Sequence, residues 1–339
     1  MRRCCVLALV LLAGCGSSGE SGDGAGNEAT ASAGDGAFPA MVEHKYGTTT
    51  VPARPRRIVS VGLTEQDTIL ALGCKPIATT EWYGEQPYAV WPWARAALGD
   101  SKPAVLHTDD GFEFEKIAAL RPDLIVGVNS GMSKGDYEKL SRLAPTIPPG
   151  KGSTEYFSPW DTQVELIAAA LGKPDEGRAL VRKIKRDYAN VAAEHPEFRG
   201  QTATFSQNGF YSGLLYVYPD GLGTEFLTML GFKINPKLAP LQKKAGEQAA
   251  ISAERLDVID ADVIVFATEK PSDVAALGKV PTFDKLPAVA EHRSVYTDAT
   301  LAGALYFISP LSLPYVLERL TPQLEAAVAG NAPRKVVTP

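Results

Sequence analysis

The chain has 339 residues, 45% of them apolar, a formal charge of −5 and four cysteines. Mild acidity argues against a nucleic-acid partner and against a polybasic membrane patch, while the apolar fraction suffices for a sizeable core. Cys4, Cys5 and Cys15 lie in the first fifteen positions, so only Cys74 is left for the body and no disulfide framework is expected there.

The opening reads MRRCCVLALVLLAGC, a basic pair followed by an apolar run over 6–12. That run is about half of the ~20 residues a bilayer span requires, so it reads as a signal h-region. Leu12-Ala13-Gly14-Cys15 is similar to the bacterial lipobox, in which the signal is cut before the cysteine and the cysteine is acylated. Residues 1–14 are therefore expected to be a lipoprotein signal, with Cys15 as the lipidation site. Residues 15–38 are rich in Gly, Ser, Ala and acids, the composition of a flexible tether. Loss of Arg2 and Arg3 with the signal takes the formal charge to about −7. The expected location is extracytoplasmic, lipid-anchored at the outer face of the cell membrane.

After the tether, IVSVG…ILALG (58–73) reads as strand then helix, and PIATTE (76–81) as the next strand. EWYGEQPYAVWPWAR (81–95) follows, with five aromatics, two prolines and a glycine, so neither a regular helix nor a strand is expected. EFEKIAALRPDLIV (113–126) then matches SAERLDVIDADVIV (252–265) without a gap, each a short amphipathic helix turning through Asp into an apolar strand. Uninterrupted apolar strands suit a parallel sheet covered on both faces. LYVYP…FLTMLG (215–231) precedes the second copy, so each half reads strand–helix–strand. Between the halves, 162–173 and 174–195 read as helices, the second a rigid strut that predicts little closure on binding. Residues 309–330 read as a terminal helix broken near Pro314 and Pro322. The fold class is α/β: two Rossmann-like lobes, 39–161 and 196–339, joined by connecting helices over 162–195 with a ligand cleft between.

With these features, the chain resembles the substrate-binding lipoprotein of a bacterial ABC importer, of the iron-siderophore, haem and cobalamin group. The residues that carry the resemblance are VPARPRRIVSVGLTEQDTILALGCKPIATTEW (51–82), FEKIAALRPDLIVG (114–127) and LSLPYVLERL (311–320). The last is similar to the closing helix of actinobacterial members. The resemblance implies a monomeric binding protein, not an enzyme, with no cofactor of its own and with iron held by the siderophore. It also implies that Glu115 and Glu254, equivalent within the internal repeat, dock on the permease subunits. One carboxylate per pseudo-symmetric lobe suits a two-fold partner, although each is also an acid in a helix's first turn.

Sites in open α/β sheets form beyond the carboxyl ends of strands, which puts Trp82 and Tyr83 on the cleft rim. Trp91 and Trp93 are read as either ligand wall or loop anchor, and Arg95 as a cationic partner or a plain surface residue. Asn129, Ser130, Tyr156, Trp160, Phe210, Tyr211 and Tyr216 complete the cleft candidates, with Tyr306 added by resemblance. Tyr216 and Tyr218 share one strand face, so one of them can belong to core. An aromatic cleft with few lysines suits a chelated metal complex, with ferric hydroxamates first, haem second and cobalamin third. The four histidines are scattered and lack the spacing of a bare metal site. An extracytoplasmic hydrolase is the rival class, but no G-x-S-x-G, HExxH or acid pair stands out.

Overall fold

The computed structural model describes residues 37–154, 156–244 and 246–338. The signal segment, Cys15 and the tether up to residue 36 lie outside the described residues. Phe38, read above as the tether's end, packs against Gly172 and the first lobe's core, so the folded body includes it.

The first lobe opens with a hairpin of β1 (Ala40–His44) and β2 (Gly47–Val51). There follow β3 (Ile58–Ser60), α1 (Glu65–Ala71), β4 (Ala78–Thr80), α2 (Pro92–Leu98) and β5 (Ala104–Leu106). Then come α3 (Phe114–Ala119), β6 (Leu124–Val126), α4 (Lys134–Leu140) and β7 (Thr146–Ile147). The sheet order is β5-β4-β3-β6-β7, every neighbouring pair parallel. β3, β4 and β6 are buried along their whole length, which is why they carry no polar alternation.

Two helices lead out of this lobe, α5 (Trp160–Ala170) and α6 (Pro174–Glu194). Trp160 and Val164 of α5 sit in the second lobe's core, whereas Ile167, Ala168 and Ala170 sit in the first lobe's. One helix is thus bolted to both. Pro174 opens α6 with Asp175 and Glu176 in its first turn, where a fixed φ and negative charge are favoured. Its stripe of Gly177, Val181, Ile184 and Tyr188 recurs at helical spacing, and the Tyr188 hydroxyl donates to the Leu313 carbonyl at 3.0 Å.

The second lobe contains β8 (Thr202–Tyr211), β9 (Leu214–Val217), α7 (Glu225–Thr228), β10 (Lys233–Ile234) and β11 (Ala249–Ser252). It continues with β12 (Val263–Ala267), α8 (Pro271–Leu277), α9 (Pro287–Ala290), β13 (Ser294–Tyr296), α10 (Ala299–Tyr306) and α11 (Ser312–Val328). The order is β11-β9-β8-β12-β13, with β10 beside the start of β8. β8, β12 and β13 are parallel, while β9 runs antiparallel to both β8 and β11. The lobe's first strand is therefore β8; the 215–218 segment assigned that role from sequence is the return arm of a hairpin. α11 is continuous through Pro322, because Pro314 falls in its first turn and a single proline removes only one helical bond.

The repeat lands on α3–β6 and on a 3-10 helix (Ala253–Ile259) followed by β12. Its shared aspartate does the same task twice. Asp123 accepts the Arg56 and Arg57 backbone N–H groups at 2.8 and 2.7 Å, and Asp262 accepts Thr202 N–H at 2.7 Å. Each carboxylate fixes the start of the neighbouring parallel strand, so Leu124 pairs with Ile58 and Val263 with Ala203.

Candidate functional site

Helix α1 carries the polar run Glu65-Gln66-Asp67-Thr68, and all four residues are buried. Glu65 accepts the backbone N–H of Asn129 at 2.7 Å and of Thr64 at 3.0 Å, tying the loop after β6 to the loop after β3. Burial nevertheless dominates and pushes its pKa up to about 7. Asp67 accepts the Trp93 indole N–H at 2.7 Å and the Ser309 hydroxyl, which lies just before α11. Its pKa is pushed up to about 6, again by burial against the opposing pull of those two bonds. The second Asp67 oxygen has no hydrogen-bond partner among the described residues.

Around this polar core the aromatic loop joins the lobes. Trp91 is only 3% exposed and stacks on Trp93 at 5.1 Å and on Tyr83 at 5.4 Å. Its ring lies so close to Gly84 and to Gly303 of α10 that a Cβ at either would fall within 3 Å of it. Trp93 also packs against Tyr315 of α11. Trp82 meets the edge of Phe307 at 5.2 Å, and its half-buried ring leaves its indole N–H without a partner among the described residues. Tyr83 contacts Tyr306 at 5.6 Å with Glu269 nearby, so burial and that carboxylate both hold its hydroxyl protonated. Phe307 further stacks on Phe157 at 5.0 Å and lies near Tyr156.

Two hollows flank this aromatic floor, one per lobe, both beyond the carboxyl ends of strands. The second-lobe hollow, about 390 Å³, is lined by Gln207, Asn208, Phe210, Tyr211, Tyr216 and Glu269, among others. Its shape follows from a bulge: Gln207 pairs with Tyr216 and Tyr211 with Leu214, so 208–210 is looped out, with Asn208 at φ 42°. Glu269 Oε1 accepts from Asn208 Nδ2 at 3.3 Å and lies 3.0 Å from the Tyr306 hydroxyl. The first-lobe hollow, about 450 Å³, is lined by Thr108, Asp110, Phe112, Ser130, Lys139 and Tyr156, among others.

A family model described as periplasmic binding protein matches residues 58–301. The chain belongs to the periplasmic binding protein family. This binding protein is similar to a periplasmic solute binding protein from Mycobacterium smegmatis, at 39% identity and TM-score 0.79, over 85% of this chain and 98% of that one. PiaA from Streptococcus pneumoniae in complex with ferrichrome matches at 25% identity and TM-score 0.74, over 86% of this chain and 99% of PiaA. The probable siderophore-binding lipoprotein YfiY of Bacillus subtilis is 29% identical over 274 residues, 78% of this chain and 77% of YfiY. The fold is that of two-lobe binding proteins, and the protein is a substrate-binding component, not an enzyme.

In this periplasmic binding protein the sequence candidates separate clearly. Ser130, Tyr156, Phe210, Tyr211 and Tyr216 line the hollows, and Trp82 and Tyr83 stay half-buried, whereas Tyr306 is corrected to a buried support, 4% exposed, whose hydroxyl donates to the Ala267 carbonyl at 3.0 Å. Trp160 is corrected to core, since α5 buries it inside the second lobe and leaves no face for a ligand. Trp91 is likewise a buried anchor between glycines, and Trp93 is engaged with Asp67 and Tyr315. Arg95 is exposed and staples its own loop through Gln86 at 2.7 Å and the Val90 carbonyl at 3.4 Å. Asn129 is buried and structural, its amide oxygen accepting the Phe157 N–H at 3.3 Å. Of the pair Tyr216 and Tyr218 it is Tyr218 that belongs to core, 2% exposed and stacked on Phe205, with its hydroxyl donating to Gln207 at 3.5 Å.

The stretch 81–95 is not wholly irregular, because Pro92 opens α2 at a position where a helix accepts proline. Gln207, Asn208, Gln248, Asp273, Phe157 and Tyr315 were not singled out from sequence. Isolated amides and carboxylates carry no periodic signal, and only the bulge and the end of β12 bring them to one hollow. Glu115 and Glu254 are both exposed, in the first turn of α3 and of the 3-10 helix, and neither forms an ion pair among the described residues.

Proposed function

We propose that the protein is a lipid-anchored extracytoplasmic receptor that captures a ferric siderophore of hydroxamate type and delivers it to an ABC importer. The observation that carries this reading is the charge of an otherwise aromatic cleft. Glu269, Asp273, Asp110 and Asp136 line the two hollows against Lys139 alone. Ferric citrate and ferric catecholate complexes are anionic and call for guanidinium or ammonium clamps. A ferric trihydroxamate core is neutral, and is held by ring faces and amide groups of the kind found here. The names of PiaA and YfiY agree with a siderophore ligand.

Tryptophan emission gives the test. A ferric trihydroxamate is expected to quench it saturably, with ferric citrate, a ferric catecholate, haem and cobalamin as the other arms. Saturation by haem alone would replace the reading with axial ligation by a tyrosine such as Tyr211, which is 74% exposed. A flat response in every arm would overturn it. Glu115 and Glu254 are assigned to the permease, one per lobe, each exposed and in no ion pair among the described residues. Charge reversal at both is expected to abolish uptake and leave ligand affinity intact; unchanged uptake would remove the docking role. Acylation at Cys15 is tested by metabolic labelling with a fatty-acid analogue, which Cys15→Ala should eliminate.

A further inference from the structure

We infer that Glu269 is a specificity-determining residue that selects a ferric chelate carrying a free ammonium group. This rests on the siderophore reading and narrows the ligand within it. Three features of the second-lobe hollow converge. First, Glu269 and Asp273 both line it and neither is ion-paired among the described residues. The Glu269 carboxylate is met only by neutral donors, Tyr306 and Asn208, with the Tyr83 hydroxyl nearby. Asp273 accepts the backbone N–H groups of Glu269 and Lys270, which fixes it at the start of α8.

Second, the side-chain oxygen of Asn208 is buried without a donor, although its amide nitrogen already serves Glu269. Glu269 and Asp273 thus face the hollow without a cationic partner among the described residues, and an alkylammonium brings three charged donors. Third, the walls around these acceptors are Phe210, Tyr211 and Tyr216, apolar faces suited to the methylene chain that carries such a group. Among the described residues no lysine or arginine lines this hollow; Lys243 lines an adjoining one that shares Tyr216 and Gln248. The Tyr306 hydroxyl, 3.0 Å from Glu269 Oε1, holds the carboxylate in place.

The test compares ferrioxamine B, a linear ferric trihydroxamate with a free terminal ammonium, with its N-acetylated form, which has the same iron core and no charge. Titrations by tryptophan quenching are expected to show wild-type protein binding the ammonium form about tenfold more tightly, with the gap shrinking as salt is raised. Glu269→Gln is expected to close the gap to within about twofold. Equal wild-type affinities, or a gap that survives in Glu269→Gln, would overturn the inference while leaving hydroxamate binding standing. Failure of both complexes to bind would instead overturn the hydroxamate reading and the inference with it. The wild-type comparison needs no variant, so a Glu269→Gln protein that misfolds does not shield the claim.

Discussion

Replacing Asp67 with asparagine removes a buried charge and keeps its bulk. The carboxyl accepts from Trp93 and Ser309, yet burial lifts its pKa from 3.8 to about 6. A folded-state pKa above the unfolded value means the folded chain binds more protons between those two points. The stability contributed by this group therefore falls as pH rises through that window. The gap from 3.8 to about 6 is just over two pH units, or about 3 kcal/mol at ~1.4 kcal/mol per unit. Near pH 3 the wild-type side chain is neutral in both states, so the variant should differ only through its local bonding. By pH 8 the wild type carries the whole ~3 kcal/mol cost and the variant none of it. The difference in unfolding free energy should thus move by about 3 kcal/mol in favour of Asp67→Asn across this range. Urea melts at closely spaced pH values measure it. Parallel stability profiles for the two proteins would refute the claim that desolvation governs this carboxyl.

Other outcomes follow from the same contacts. Glu65→Gln should flatten the stability profile in the same direction but at higher pH, because burial pushes Glu65 up to about 7; an unchanged slope above pH 6 would count against it. Gly303→Val places a Cβ 2.4 Å from the Trp91 ring, where carbon contacts need about 3.5 Å, and should cost about 1–3 kcal/mol with a red-shifted tryptophan emission. A variant as stable as wild type would show that the loop is not anchored there. Asp262→Ala strips acceptors from the Thr202 N–H and hydroxyl and should cost about 1–2 kcal/mol in denaturant melts, and Asp123→Ala should cost a similar amount if the two repeats are equivalent. With α5 bolted to both cores, the radius of gyration should stay constant on ligand addition; contraction by more than about 1 Å would point to hinge closure.

The repeat was legible because an amphipathic helix, an aspartate turn and a strand buried on both faces each impose a local pattern. The same reasoning misassigned 215–218, since a four-residue apolar run does not reveal whether its strand pairs parallel or antiparallel. It also read the Trp91–Trp93 pair as undecided, and it gave the TEQDT run no special role. Polar residues on a short helix ordinarily face water, and only an interlobe seam with its own donors can bury them.

The amino-acid sequence by itself determined the two-lobe α/β plan, the connecting helices, the paired glutamates and the family. The plan and the helices rest on short-range periodicity and spacing, while the family and the pairing of the glutamates rest on the motifs that carry the resemblance. The tertiary structure alone decided which aromatics are buried and which line a hollow. Ser309 reaches Asp67 across 242 positions and meets Trp93 there, Tyr83 and Tyr306 meet around Glu269, and Trp91 fits only because α10 presents a glycine. Such contacts join residues that no local pattern relates, and they alone separate the anchors of the tryptophan loop from the floor of the cleft.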